Sequence, residues 1–142
     1  MKTILYNSHD LAYLAGLLDG EGYVGIGARV SGKYKSRQLI LQVRIGMTDS
    51  TVIQWVHKTF GGQIYEHKRL PNKTMWLWSI TQQPAADLLA VINPYLKTKR
   101  TQAWLAQEYQ AQRTPSTGGK LVPVEELVLR EGFMLAIRNV NA

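Results

Sequence analysis

Among the 142 residues there is no cysteine, which removes disulfide frameworks, thiolate zinc sites and cysteine nucleophiles together and is compatible with a reducing compartment. No apolar run reaches the roughly 18 residues of a membrane span. The opening MKTILYNSHD also lacks the long apolar region of a signal peptide, so an intracellular protein with no membrane partner is expected. The three histidines, His9, His57 and His67, show no metal-ligand spacing. Acids are scarce: 10 Asp and Glu stand against 17 Lys and Arg, a formal charge of +7. That balance favours a polyanionic partner over an acidic small substrate. A merely basic soluble protein would have the same charge, so the placement of the cations has to decide.

What is present is patterning, in a chain long enough for one domain and short for two. Ser8 can cap a helix in which Leu11, Leu14, Ala15 and Leu18 recur at helical spacing, stopped by Gly20 and Gly22. Tyr23 to Val30 reads as a strand with Val24, Ile26, Ala28 and Val30 on its inner face. After the turn SGKYKS, Gln38 to Gly46 is the clearest strand, with Leu39, Leu41, Val43 and Ile45 facing a core and Gln38, Ile40, Gln42 and Arg44 facing away. Thr48 or Asp49 caps a second helix that stops at Gly61-Gly62. A hairpin follows, Gln63 to Arg69 and Met75 to Thr81, with Trp76, Trp78 and Ile80 assigned to the core. Helices are predicted over Pro84 to Tyr95 and Lys97 to Gln112, and after the polar loop RTPSTGGK a last one begins at Pro123. The order αββαββα plus two C-terminal helices predicts an α+β fold: a four-stranded, mostly antiparallel sheet with helices on one face. One domain is expected, its core over about 8–112 and a helical extension over about 123–139.

The other sheet face must meet water or a ligand. Arg29, Gln38, Gln42, Arg44, Gln63, Tyr65, His67 and Arg69 fall on its outward parities together with Ile40, and Lys33, Lys35, Arg37, Lys68 and Lys73 flank them. Arg and Gln can hydrogen-bond base edges bidentately, and Lys suits phosphates. Solvation alone also asks for polar residues on such a face. The near absence of acid favours nucleic acid, Glu66 having the inward parity unless that strand is bulged or shifted.

The run LAGLLDGEG, Leu14 to Gly22, sets two acids among glycines at the end of the first helix, directly before a strand. A carboxylate there, with glycines admitting a backbone or a phosphate, suits a metal-dependent hydrolytic site. The run resembles the LAGLIDADG motif of homing endonucleases, with Leu18 in place of Ile, Gly20 in place of Ala and Glu21 as the second acid. The likeness continues through RIGMTDSTVIQWV, GGQIYEHKR and WLWSITQQPAADLLAVINPYLKTKRTQA, so it spans about residues 8–112. It implies a DNA-binding saddle and cleavage of double-stranded DNA by Mg²⁺-dependent phosphodiester hydrolysis, with Mn²⁺ or Ca²⁺ able to substitute for binding. It further implies that Glu21 is the metal-binding acid, that the Gly20 carbonyl is a second protein oxygen and that Lys99 lies near the cleaved phosphate. Met47 stands in the catalytic set where family members often carry a polar residue, and a thioether cannot orient water in the same way.

With a single motif the resemblance implies a homodimer acting on a long, partly palindromic site. The sequence offers its own reason. Ala12, Gly16 and Gly20 lie four residues apart with Ala15 and Asp19 beside them, a stripe along which two helix backbones can approach closely. A helix crossing within the subunit is the alternative use of that stripe. A two-fold axis there would set Glu21 beside its mate. Two other functions stay open: an RNA maturase acting on its own intron, and a DNA-binding protein of the same fold that has lost cleavage, which Met47 favours.

Overall fold

The protein is described by a computed structural model that covers residues 5–30, 37–113 and 122–142, with Arg37 described in its backbone only. The turn SGKYKS, with Lys33 and Lys35, and the polar loop after Arg113 lie outside the described residues.

Helix α1 (Ser8–Glu21) is capped one residue earlier than the sequence suggests. The Asn7 side chain accepts from the His9 amide at 2.7 Å and the Asn7 carbonyl accepts from Leu11 at 3.1 Å, so Ser8 is already helical. Both residue types cap well, and the first turn closes on Asn7. At its far end α1 runs past Gly20 and passes into strand β1 (Gly22–Val30) with no loop between. A methyl group on Gly22 would lie 2.7 Å from the Leu18 carbonyl oxygen, so the reversal needs glycine there.

Strand β2 (Arg37–Met47) leads into α2 (Ser50–Phe60), which Asp49 caps by accepting from the Thr51 and Val52 amides at 2.9 and 3.3 Å. Gly61 and Gly62 end α2 with φ of 81° and 84°, in the region that glycine alone enters readily. The Trp78 indole N–H donates to the Gly61 carbonyl at 2.7 Å and ties this stop to the hairpin of β3 (Gln63–His67) and β4 (Met75–Thr81). Strand β3 ends two residues before the predicted Arg69. Helix α3 (Gln82–Ile92) starts two residues before the predicted Pro84 and passes into a 3-10 turn at Asn93–Tyr95. The stretch 97–99, predicted helical, is instead a turn that precedes α4 (Arg100–Gln112), and α5 (Val124–Asn141) closes the chain.

The strands run antiparallel in the order β1-β2-β4-β3. Their inward residues Val24, Ile26, Leu39, Leu41, Val43, Ile45, Trp78 and Ile80 form one core with residues of all five helices, the expected α+β architecture. Helix α4 locks to β2 through the Tyr109 hydroxyl, which donates to the Leu39 carbonyl at 2.5 Å. Helix α5 joins through the Tyr109–Phe133 ring contact and the Asn141 amide on the Val24 carbonyl at 3.0 Å. Two expectations fail at the sheet margins. Ala28 and Val30 have the inward parity but are exposed. Glu66 is exposed at the same parity near the end of edge strand β3, whose ladder with β4 is continuous, so no bulge or register shift is involved. Among the described residues no helix is long and apolar enough to cross a membrane.

Candidate nucleic-acid interface

The face of the sheet without helices is organised in rows set by the ladder. One row reads Tyr23, Arg44, Ser79, Gln63 from edge to edge; the next on one side reads Gly25, Gln42, Thr81, and on the other Gly46, Leu77, Tyr65. Three glycines form its floor, and a neighbour lies over each. A methyl on Gly25 would strike the Tyr23 ring, one on Gly27 would come within 2.9 Å of the Gln42 Oε1, and one on Gly46 would come within 2.7 Å of the Leu77 Cδ2. The exposed Arg44 guanidinium sits 4.7 Å from the centre of the Tyr23 ring, and the Tyr65 hydroxyl donates to the Gln63 side chain. Several side chains of this face are therefore supported by one another. The four strands together carry one acid, Glu66, and it is not on this face.

Most of the residues expected here are found here. Arg29, Gln38, Arg44, Gln63, Tyr65 and His67 are exposed on the open face, Gln42 is half-buried over Gly27, and Lys73 is exposed in the β3–β4 turn. Ile40 shares the outward parity yet is 2% exposed, so it is no contact surface. Arg69 lies in the turn and not on the strand, and its Nη2 donates to the Lys73 carbonyl at 3.3 Å, which commits it to its own loop.

At one end of this surface stand the two acids of α1. The C-terminus of a helix presents carbonyl oxygens and the negative end of the dipole, so acids there, with no basic residue in the last turn, concentrate negative potential in a cationic protein. Asp19 is consumed internally. Its carboxylate accepts from the amides of Lys97 at 2.8 Å, Thr98 at 3.2 Å and Lys99 at 3.0 Å, and from the Thr98 hydroxyl at 3.0 Å. Burial alone would raise its pKa; these hydrogen bonds outweigh that and hold it below the ordinary 3.8. The Lys99 ammonium donates to the Asp19 carbonyl at 2.8 Å, which brings it to the helix end that Glu21 terminates. Sequence reasoning placed Lys99 here but missed the Asp19 cradle, whose partners lie 78 to 80 residues away. The Glu21 side chain is exposed and has no hydrogen bond or ion pair among the described residues. The Gly20 carbonyl has no helical amide to meet, since Val24, four residues on, lies in β1. Met47 ends β2 half-buried, opposite Trp76 and packed against the core.

The small-residue stripe divides in two. Ala12, Gly16 and Gly20 are exposed, and a methyl on either glycine would meet nothing within 4 Å. Ala15, by contrast, is wholly buried in the subunit core, and Asp19 points its carboxylate at its own chain. Neither belongs to a free helix face: Ala15 packs in the core and Asp19 is held by the turn before α4.

No family model matches the chain, and no curated protein matches its sequence. Solved structures do match its fold. The homing endonuclease I-CvuI, in complex with an I-CreI DNA target and 2 mM Mg, with the DNA not cleaved, aligns with a TM-score of 0.75 over 94% of this chain and 82% of its own, at 19% identity. The archaeal intron-encoded homing endonuclease I-Vdi141I, complexed with DNA, gives 0.74 over 94% and 84%, at 13% identity. The LAGLIDADG homing endonuclease I-GzeII, in complex with its DNA target, gives 0.62 over 90% of this chain and 43% of its own, at 14% identity. The chain thus has the fold of the LAGLIDADG homing endonucleases, and the end of its α1 with the first residue of β1 carries LAGLLDGEG, a close variant of the motif that names them.

Proposed function

We propose that the protein is a single-motif LAGLIDADG homing endonuclease, a homodimer that binds a long, partly palindromic duplex on its open sheet and cleaves both strands. The observation that carries this reading is the junction of α1 and β1, where Glu21, its side chain without a partner among the described residues, and the tethered Lys99 ammonium stand at the same helix end, beside the basic, helix-free face of the sheet. The like-folded I-CvuI and I-Vdi141I were both solved on DNA, and I-CvuI in the presence of Mg and of Ca.

Among the described residues no group of three His, Cys, Asp or Glu could hold a metal ion alone. The donors present, the Glu21 carboxylate and the Gly20 carbonyl, are hard oxygens that suit Mg²⁺ but are too few for its shell without phosphate and water. That fits an ion taken up with the substrate. Bound there, a divalent cation would supply charge neutralisation at the scissile phosphate and a more acidic water. Glu21 would hold the cation, and Lys99 would stabilise the charge that develops on the phosphoryl oxygens. Asp19 positions Lys99 and the turn before α4. The exposed face of Ala12, Gly16 and Gly20 packs on its two-fold mate and brings the two Glu21 side chains together.

A DNA-binding protein of the same fold without cleavage is the second reading, favoured by Met47, whose side chain packs against the core and offers no polar group to water. One experiment separates the two. The protein is used to select sites from a randomised duplex pool, and the selected duplex is incubated with wild type and Glu21→Gln in Mg²⁺. Cleavage by wild type with binding but no cleavage by the variant is expected. Specific binding without cleavage by either supports the second reading, and equal cleavage by both shows that the acid is misassigned.

A further inference from the structure

The open face is not uniformly polar. One step beyond the Gly22–Ile45 pair, Gly46 stands level with the end of α1, and Leu77 lies opposite it on β4. A methyl on Gly46 would meet the Leu77 Cδ2 at 2.7 Å and the Met75 Sδ at 3.4 Å, so both side chains lie down over the glycine and spread into a pad. Both are half-buried. Arg44 borders the pad along β2, and Tyr65 and His67 border it from β3, opposite Leu77 and Met75. An apolar patch framed by Arg, Tyr and His on a surface exposed to solvent costs hydration unless something apolar covers it. If the open face lies in the major groove, base edges there present one apolar group, the 5-methyl of thymine.

We infer that Leu77 and Met75, spread over Gly46, form a thymine-methyl contact that selects an A·T pair next to the cleavage point in each half-site. This inference rests on the endonuclease reading. The alternative use of the two side chains is to fill the space above Gly46, which would affect stability and leave base preference untouched.

The test uses duplexes that the wild-type protein selects from a randomised pool, with each thymine replaced in turn by deoxyuridine, which deletes the methyl and keeps the pairing. At one symmetric pair of positions wild-type affinity should fall, by roughly fourfold for each methyl lost from a buried contact. Leu77→Ala should bind thymine and uracil alike there, whereas Leu77→Met, which keeps an apolar surface of similar volume, should retain the difference. Thermal unfolding of the three proteins checks that the fold survives. Specific binding that no thymine-to-uracil exchange alters overturns the inference while the endonuclease reading stands, and so does an undiminished penalty in Leu77→Ala. Failure to select any sequence from the pool overturns both.

Discussion

Asp19 and Lys99 hold each other at both ends: the Lys99 amide donates to the Asp19 carboxylate at 3.0 Å, and the Lys99 ammonium donates to the Asp19 carbonyl at 2.8 Å. The carboxylate gathers the turn before α4, where free amides and the positive end of a helix dipole favour an anion. The carbonyl belongs to the last turn of α1, where a cation is favoured. One residue pair thus satisfies two helix termini and sets the lysine beside the terminus that bears Glu21.

Asp19→Asn should destabilise the protein at neutral pH by about 1 to 3 kcal/mol, because the amide opposes some of the donors that the carboxylate satisfied. The folded pKa of Asp19 is depressed below the ordinary 3.8. Its contribution is therefore fully present above the unfolded value and is lost as pH falls through the folded one. Urea-unfolding midpoints of wild type and variant, measured from pH 7 to pH 2, should differ by a constant amount down to about pH 4 and then converge. A gap that persists unchanged at pH 2 would show that the carboxylate charge is not what holds the turn.

Gly16→Leu should separate folding from assembly. The space around Gly16 is open, so within one subunit the side chain fits, and replacing glycine in a helix interior gains roughly 1 kcal/mol of helix propensity. Between two α1 helices the same side chain would force the backbones apart. Wild type should sediment as a dimer and Gly16→Leu as a folded monomer with helical circular dichroism retained. A wild-type monomer both free and on DNA refutes the dimer, and a variant dimer as tight as wild type moves the interface elsewhere.

Lys99→Met removes the ammonium but leaves the backbone amide that Asp19 accepts from. The turn should therefore persist. Cleavage of the selected duplex should slow by two orders of magnitude or more, on the order of the loss seen when a transition-state charge stabiliser is deleted, while affinity changes little. Single-turnover rates beside equilibrium binding measure the two effects. A defect confined to affinity would make Lys99 a phosphate contact and not a participant in the chemistry.

The parts of this fold that could be read from sequence are those whose cause is local. The alternation of Leu39, Leu41, Val43 and Ile45 with polar residues follows from the strand pleat, and Asp49 and Gly61-Gly62 punctuate α2 by cap chemistry and positive φ. The motif marked Glu21, and the likeness to a family marked Lys99. What could not be read depends on distant partners. Nothing near Asp19 in sequence shows that its acceptors will meet residues 97–99. Nothing distinguishes Ala15 from Gly16 until the helix is docked and one faces the core and the other solvent. Ile40 shares its parity with Gln42 and Arg44, yet it is buried where they are not.

The stacking of Arg44 on Tyr23 gives a final prediction about specificity. An arginine held 4.7 Å from a ring centre has lost part of its freedom before any partner arrives, so its planar fork is presented ready for bidentate contact with a guanine edge. Arg44→Ala should then relax preference at one symmetric pair of positions, at roughly 1 to 3 kcal/mol per lost contact. Tyr23→Leu should cause a weaker relaxation at the same pair, since it removes the support and leaves the reader. Lys73→Ala, in the exposed β3–β4 turn, should instead weaken binding to all sequences alike and flatten the salt dependence. Binding profiles over single-base variants of the selected site, at two salt concentrations, measure all three. Should Arg44→Ala lower affinity uniformly and flatten the salt dependence as Lys73→Ala does, Arg44 contacts phosphate, and the base readers must be sought in Gln63 of its own row and Gln42 of the next.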